Sequence, residues 1–345
     1  MSQLNQQVDK WFLEFKTRST RPKRGADGGA GMRRPLKKGT GLKNIQSAAL
    51  KKPEVMVKIP PRKGGTNGLA AVRGHLDYIS RNGQIDVENQ DGFVFQGQKD
   101  IRKGVLENWQ ALGVPEKSKR REAINLVLSM PPGTNPEAVR LAARAFAREQ
   151  FDGHQFAFAQ HLDEAHPHVH LCVMMKNELG QYMNPRKGEL FEWRLRFAEK
   201  MREQGVECAA TRRVHRGITR KPEHSTLRHM RKRGQVPNVY RQQAIELAQA
   251  VKGSTRPVHP FLREEIRTRN IVSTEYGKIA KELYKIGAKA EARVLSGFAK
   301  EINQYDHTTQ AQHHFDKAQE YTHEKKHENS PLIKKGRNDR ELGPL

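Results

Sequence analysis

The sequence predicts a mixed α and β fold in which short strands alternate with amphipathic helices and a longer helical region follows. Three observations carry that expectation. Apolar segments with strand character, HQFAFAQ and VHLCVMM, flank the stretch HLDEAHPHVH at residues 161–170. Leu69, Val72, Leu76 and Ile79 recur at helical spacing and define one buried stripe. From about residue 236 the composition turns helix-forming, with IAKELYKIGAKAEARVLSGFAKEI its clearest member.

Taken in order, the chain begins with a piece dotted with apolar residues around Trp11, Phe12 and Phe15. The run TRSTRPKRGADGGAGMRRPLKKGTGLK follows, which is basic and Gly-rich with almost nothing to bury, and so reads as disordered. EVMVKIP is a short strand stopped by Pro60 and Pro61, and RKGGTNG a flexible basic loop. LAAVRGHLDYISRNG is a helix ended by Asn82 and Gly83. IDVENQDGFVFQG resembles a hairpin, and a short helix is expected around Val105 to Leu112. REAINLVLSMPPGTNPEAVRLAARAFAREQF gives a strand, a turn and a helix, with Asn135 capping free amides and Pro136 suited to the first turn. In GELFEWRLRFAEKMREQGV, Leu190, Trp193, Phe197 and Met201 share one stripe, better suited to a core than to stacking bases. Past Tyr305 the chain is polar and rich in His and Lys, and is expected to fray.

Four of the 15 histidines lie within HLDEAHPHVH. Strand geometry projects His166, His168 and His170 together, and His161, at the end of the preceding strand, can join them. Three neutral imidazoles with open coordination positions suit a catalytic metal site rather than a closed structural one. Asp163 is placed to accept a second ring N–H and fix a histidine's orientation. Tyr78 sits at about 140° from the centre of its helix's apolar stripe, at about 100° per residue, and so points away from the core.

The net charge is +25, a balance that implies a polyphosphate partner. Between Arg212 and Arg233 nine Lys or Arg face a single Glu, a density that favours phosphate contact. No apolar run approaches the roughly 18 residues of a spanning helix, so membrane insertion is not expected. The first residues lack a signal-peptide hydrophobic core, and Cys172 and Cys208 stand in no metal or redox spacing, which fits a cytoplasmic protein without disulfides. No GxxxxGK[ST] phosphate loop is present, which argues against a helicase or ATPase.

HLDEAHPHVH resembles the H-x-D-x-x-x-P-H-x-H signature of HUH-type relaxases, in the branch of plasmid mobilisation nucleases and T-DNA border endonucleases. HLDYISRNG is similar to the segment carrying that branch's nucleophilic tyrosine. SMPPGT and RRVHRGITRKP resemble two further segments, so four stretches between about residues 54 and 222 occur in the expected order. The resemblance implies an α+β fold with a central antiparallel sheet of about five strands flanked by helices, and a helical C-terminal extension. It implies metal ligands His161, His168 and His170, with His166 outside that triad as an additional candidate, Asp163 as orienting or proton-accepting carboxylate, and Tyr78 as nucleophile. Arg73, Arg81, Arg212, Arg213, Arg216, Arg220 and Lys221 become candidates for DNA contact.

The expected organisation is a basic extension over 1–50, a relaxase (HUH nuclease) domain over 51–235, a helical accessory region over 236–303 and a polar tail over 304–345. The implied activity is a site- and strand-specific nick at a plasmid or mobile-element transfer origin. It would proceed by tyrosine transesterification through a 5′-phosphotyrosyl intermediate, with Mg²⁺ or Mn²⁺ as cofactor and Zn²⁺ as the alternative. Implied partners are single-stranded DNA around the nick, transfer-origin duplex, accessory relaxosome proteins and a coupling protein or secretion system, with transfer to a recipient cell alongside the DNA. The competing readings are a metal-dependent hydrolytic nuclease, a rolling-circle replication initiator, whose tyrosine ordinarily follows the histidine motif, and a non-enzymatic nucleic-acid-binding protein.

Overall fold

The computed structural model describes residues 1–15, 35–60, 67–219 and 223–328. The basic run after Glu14, the loop RKGGTNG, and Arg220 and Lys221 fall largely or wholly outside the described residues. The chain divides into two compact units, one of residues 1–218 with 271–303, the other of residues 219–270 with 304–345.

The first unit is built on six antiparallel strands: β1 (Met56–Lys58), β2 (Val87–Asn89), β3 (Val94–Phe95), β4 (Ala123–Ser129), β5 (Phe156–His161) and β6 (His168–Met174), in the spatial order β1-β4-β6-β5-β2-β3. The architecture is therefore α+β, as expected, with six strands in agreement with a sheet of about five. β6 lies at the centre and is buried along its whole length. It pairs with β5 so that His161 faces His168 and Ala159 faces His170.

Two helices precede the sheet, α1 (Ser2–Glu14) and α2 (Thr40–Ala49). The sequence reading gave the first 50 residues no part in the core, yet Val8, Phe12, Leu42 and Ile45 are all buried. Two N–H groups at the start of α2, from Gly39 and Gly41, donate to the Asp9 carboxylate at 2.7 and 2.6 Å, which ties the two helices together.

The helix α3 (Leu69–Ile79) buries Leu69, Val72, Leu76 and Ile79 as the sequence periodicity predicts. Burial of that kind is worth roughly 1.5–3 kcal/mol per side chain. These residues pack against Ala157, Ala159, Cys172 and Met174, which alternate along β5 and β6. Alanines at two of those positions let α3 lie close to the strand ends that carry the histidines. A continuous helical stretch covers the same core, from α4 (Gly97–Ile101) through a π-helical segment (Arg102–Glu107) to α5 (Asn108–Ala111). The other residues of β5, including Phe158, alternate to the opposite side. There α6 (Pro136–Gln150) is capped by Asn135 and packs on β6 and on α7 (Lys187–Glu203). Trp193, Phe197 and Met201 of α7 are core residues, while Leu190 is half-buried.

The helix-forming stretch over 279–302 is divided between two helices. The second unit holds α8 (Ser225–Lys232), α9 (Asn238–Lys252) and the start of α10 (Leu262–Lys285), whose remainder belongs to the first unit. Gly287, at φ +84°, then separates α10 from α11 (Lys289–Asn303). Residues after 305, expected to fray, form α12 (Gln310–Glu328) in the second unit. It packs on α9, and Asp316 accepts two hydrogen bonds from Arg256, at 2.8 and 2.7 Å.

Candidate active site

Antiparallel register brings the histidines together. His161 and His168 stand opposite one another at the loop end of the β5–β6 hairpin, and His170, two residues along β6, shares their face. One ligand nitrogen from each of His161, His168 and His170 falls within 4.8 Å of the others, and all three side chains are buried. His166 does not join them through its ring. β6 begins at His168, so the strand alternation that would align His166 does not reach it, and its side chain is exposed. It contributes its carbonyl instead, 3.1 Å from Nδ1 of His168.

Hydrogen bonds set the tautomers. Nδ1–H of His168 donates to that carbonyl, leaving Nε2 with a lone pair; Nε2–H of His161 donates to the carbonyl of Ile79 at 2.7 Å, leaving Nδ1. His170 keeps a buried Nδ1 with no hydrogen-bond partner. Burial, reinforced by the neighbouring His161, His168, His75 and Arg81, pushes the His170 imidazole down to about 3. Burial likewise lowers His161. Neutral imidazoles with oriented lone pairs are what a divalent metal requires, and these three residues fit one.

Tyr78 lies in the last turn of α3 and is 53% exposed, in keeping with its predicted position away from the stripe. Its ring centroid is 5.5 Å from His170, 6.3 Å from His161 and 6.2 Å from His75, one helical turn earlier. The guanidinium of Arg81 sits 5.3 Å from the same ring.

The turn after α3 explains how Arg81 arrives there. Arg81, Asn82 and Gly83 are all left-handed, at φ 50°, 57° and 89°. A side chain at Gly83 would place its Cβ 2.3 Å from the backbone nitrogen of Gln98, so only glycine closes this corner. Two consecutive non-glycine residues in that region carry strain, which recurs at functional sites. The corner aims Arg81 at the triad. Its Nη2 lies 3.3 Å from Nδ1 of His161 and donates to Asp163 in the β5–β6 loop. That hydrogen bond holds the Asp163 carboxyl below its usual range, so it stays ionised. Asp163 itself is 4.0 Å from His161, and the orienting partner of that ring is the Ile79 carbonyl.

The basic residues divide. Arg212 donates to the carbonyls of Phe15 and Leu13 at the C-terminus of α1 and lies 4.1 Å from the Phe191 ring. Arg216 pairs with Glu54, and Arg73 with Glu116 at 3.5 Å. Arg213 is exposed. His215, between Arg212 and Arg216, is enclosed by Trp11, Phe12, Phe15 and Phe191. His75 and the Ile79 carbonyl were not singled out from sequence. The spacing of three residues between His75 and Tyr78 could have pointed to the first; a backbone atom leaves no such mark.

An antiparallel sheet presents three histidines on one face beside a tyrosine from an adjacent helix, the arrangement expected from the resemblance to HUH-type relaxases. Residues 81–206 match the family described as Relaxase: MobA/VirD2-like, nuclease domain. Over that segment, which contains the triad and Asp163 and begins three residues after Tyr78, the chain is similar to the relaxases. It is 28% identical over 188 residues to the T-DNA border endonuclease VirD2 of Agrobacterium fabrum, covering 49% of this chain and 42% of that protein. It is 27% identical over 200 residues to that of Rhizobium radiobacter, covering 51% and 47%. The chain therefore spans less than half the length of these curated relatives. Among the described residues no helix is long and apolar enough to cross a membrane.

Proposed function

We propose that this protein is a DNA-nicking relaxase that uses Tyr78 as its nucleophile. The observation that carries the proposal is the placement of the Tyr78 ring 5.5 Å from His170, against a triad fit for a metal. A divalent ion held by His161, His168 and His170, Mg²⁺ or Mn²⁺ in preference to Zn²⁺, would polarise the scissile phosphate and offset developing charge. Tyr78 Oη attacks phosphorus; the Oη–P bond forms as the P–O3′ bond breaks, leaving a 5′-phosphotyrosyl strand and a 3′-hydroxyl. The phenolic proton passes by way of Asp163, half-exposed and ionised, to solvent, and the leaving O3′ takes up a proton. One ester replaces another, so the step is reversible and the strand can be resealed without ATP.

Single-stranded DNA is the proposed substrate, gripped electrostatically by Arg73, Arg81, Arg213 and the basic segment that includes Arg220 and Lys221. Arg212 and Arg216 serve the fold through α1 and Glu54. Similarity to T-DNA border endonucleases supports a nick at a transfer origin, in conjugative mobilisation with accessory relaxosome proteins and a coupling protein, inside the cytoplasm. The test is conversion of supercoiled plasmid carrying the element's own transfer origin to open circles. Metal-dependent conversion supports the reading; tight DNA binding with no conversion at any divalent metal overturns it in favour of a binding protein.

A further inference from the structure

Arg81 approaches the triad at an atom that a metal would also need. The Ile79 carbonyl fixes the proton of His161 on Nε2, so Nδ1 alone keeps a lone pair. Facing that nitrogen at 3.3 Å is Nη2 of Arg81. A guanidinium is always charged and only donates. One lone pair serves either an N–H or a metal ion. Arg81 is also held for this contact, by the left-handed corner after α3, by Asp163 and by the face of Tyr78.

We propose that Arg81 is a built-in competitor of the divalent metal at His161, and that the phosphate of a bound DNA strand draws the guanidinium off Nδ1, coupling metal binding to DNA binding. The inference rests on the metal-triad reading above and adds an order of events to it. A free protein holds metal weakly because a fixed positive charge stands at one ligand. A phosphate neutralises and re-aims that charge while offering its own oxygens to the site. The coupling is reciprocal, so metal tightens DNA by the factor by which DNA tightens metal.

Mn²⁺ affinity of the full-length protein, read from the electron paramagnetic resonance of the free ion, tests this with and without a short mixed-sequence single-stranded oligonucleotide. Arg81→Asn removes the charge with a residue that tolerates the left-handed corner; Arg81→Lys keeps the charge; Lys278→Gln removes an exposed charge from α10. Without DNA, Arg81→Asn is expected to bind Mn²⁺ roughly three- to tenfold more tightly than wild type, with Arg81→Lys and Lys278→Gln within about twofold of wild type. The gain in Mn²⁺ affinity on adding oligonucleotide should shrink in Arg81→Asn. Unchanged or weaker Mn²⁺ binding by Arg81→Asn overturns the inference and leaves the triad as a metal site. An absence of Mn²⁺ binding in wild type and all variants removes the metal reading, and this inference with it.

Discussion

The rings of Tyr78 and His170 lie perpendicular, at 88° with centroids 5.5 Å apart, although one residue ends a helix and the other lies within the central strand. That juxtaposition makes the hydroxyl separable from the rest of the site. Tyr78→Phe keeps the ring and its packing, so DNA and metal affinity should stay within about twofold while the covalent adduct disappears. Denaturing gels of labelled oligonucleotide incubated with each protein check this; adduct persisting in the variant would remove Tyr78 from the chemistry.

Replacing a ligand should behave differently. His168→Ala and His170→Ala are expected to weaken Mn²⁺ binding by at least roughly tenfold and to reduce nicking with it, since two imidazoles hold a divalent ion far less well than three. Isothermal titration with Mn²⁺ and a nicking assay across metal concentration would show the two losses together. Loss of nicking at saturating metal alone, with affinity intact, would count against ligation.

The corner after α3 should tolerate no side chain at its last residue. Gly83 combines φ 89° with a Cβ position 2.3 Å from the Gln98 backbone nitrogen, so Gly83→Ala should destabilise the fold by roughly 1–3 kcal/mol. Because the same corner aims Arg81, nicking should fall further than stability explains. Chemical denaturation with parallel nicking rates separates the two effects.

His215 gives a pH dependence. Burial pushes its imidazole down to about 3 from an ordinary 6.5. Between those values the unfolded chain binds a proton that the folded chain refuses, so stability is full above about pH 6.5 and falls as pH drops toward 3. The slope approaches about 1.4 kcal/mol per pH unit from this group. Urea melts at pH 7 and pH 5 should show a loss in wild type that is smaller in His215→Phe.

Phe12 stacks on His215 at 4.5 Å and is fully buried. Phe12→Ala should therefore cost about 3–5 kcal/mol. A change within about 0.5 kcal/mol would mean that α1 is not part of the folded core.

Much of this was legible in the sequence because it is written in periodicity. The stripe of α3, the cap at Asn135, the β2–β3 hairpin and the strands carrying His161, His168 and His170 follow from local alternation, and the exposure of Tyr78 follows from its helical angle, while its candidacy as nucleophile came from the resemblance of HLDYISRNG. What escaped depends on distant partners. Trp11, Phe12 and Phe15 are too sparse to announce a core helix until His215 and Phe191 are known to enclose them. Arg212 belongs to a charge run that reads as a DNA grip, yet its fork satisfies carbonyls about two hundred residues away. His166 was aligned with its neighbours by a periodicity that starts only at His168. The orienting role expected of Asp163 falls to the Ile79 carbonyl, an atom common to every residue.

The most direct test of a tyrosine nucleophile beside a histidine-held metal is to identify the bond it makes. The full-length protein would be incubated with Mn²⁺ and DNA carrying its own transfer origin, denatured, digested with protease and nuclease, and examined by mass spectrometry. A peptide containing Tyr78 that carries a 5′-phosphate-linked nucleotide is expected. Nicked DNA with a free 5′-phosphate and no adduct, or an adduct on another tyrosine, would contradict the account.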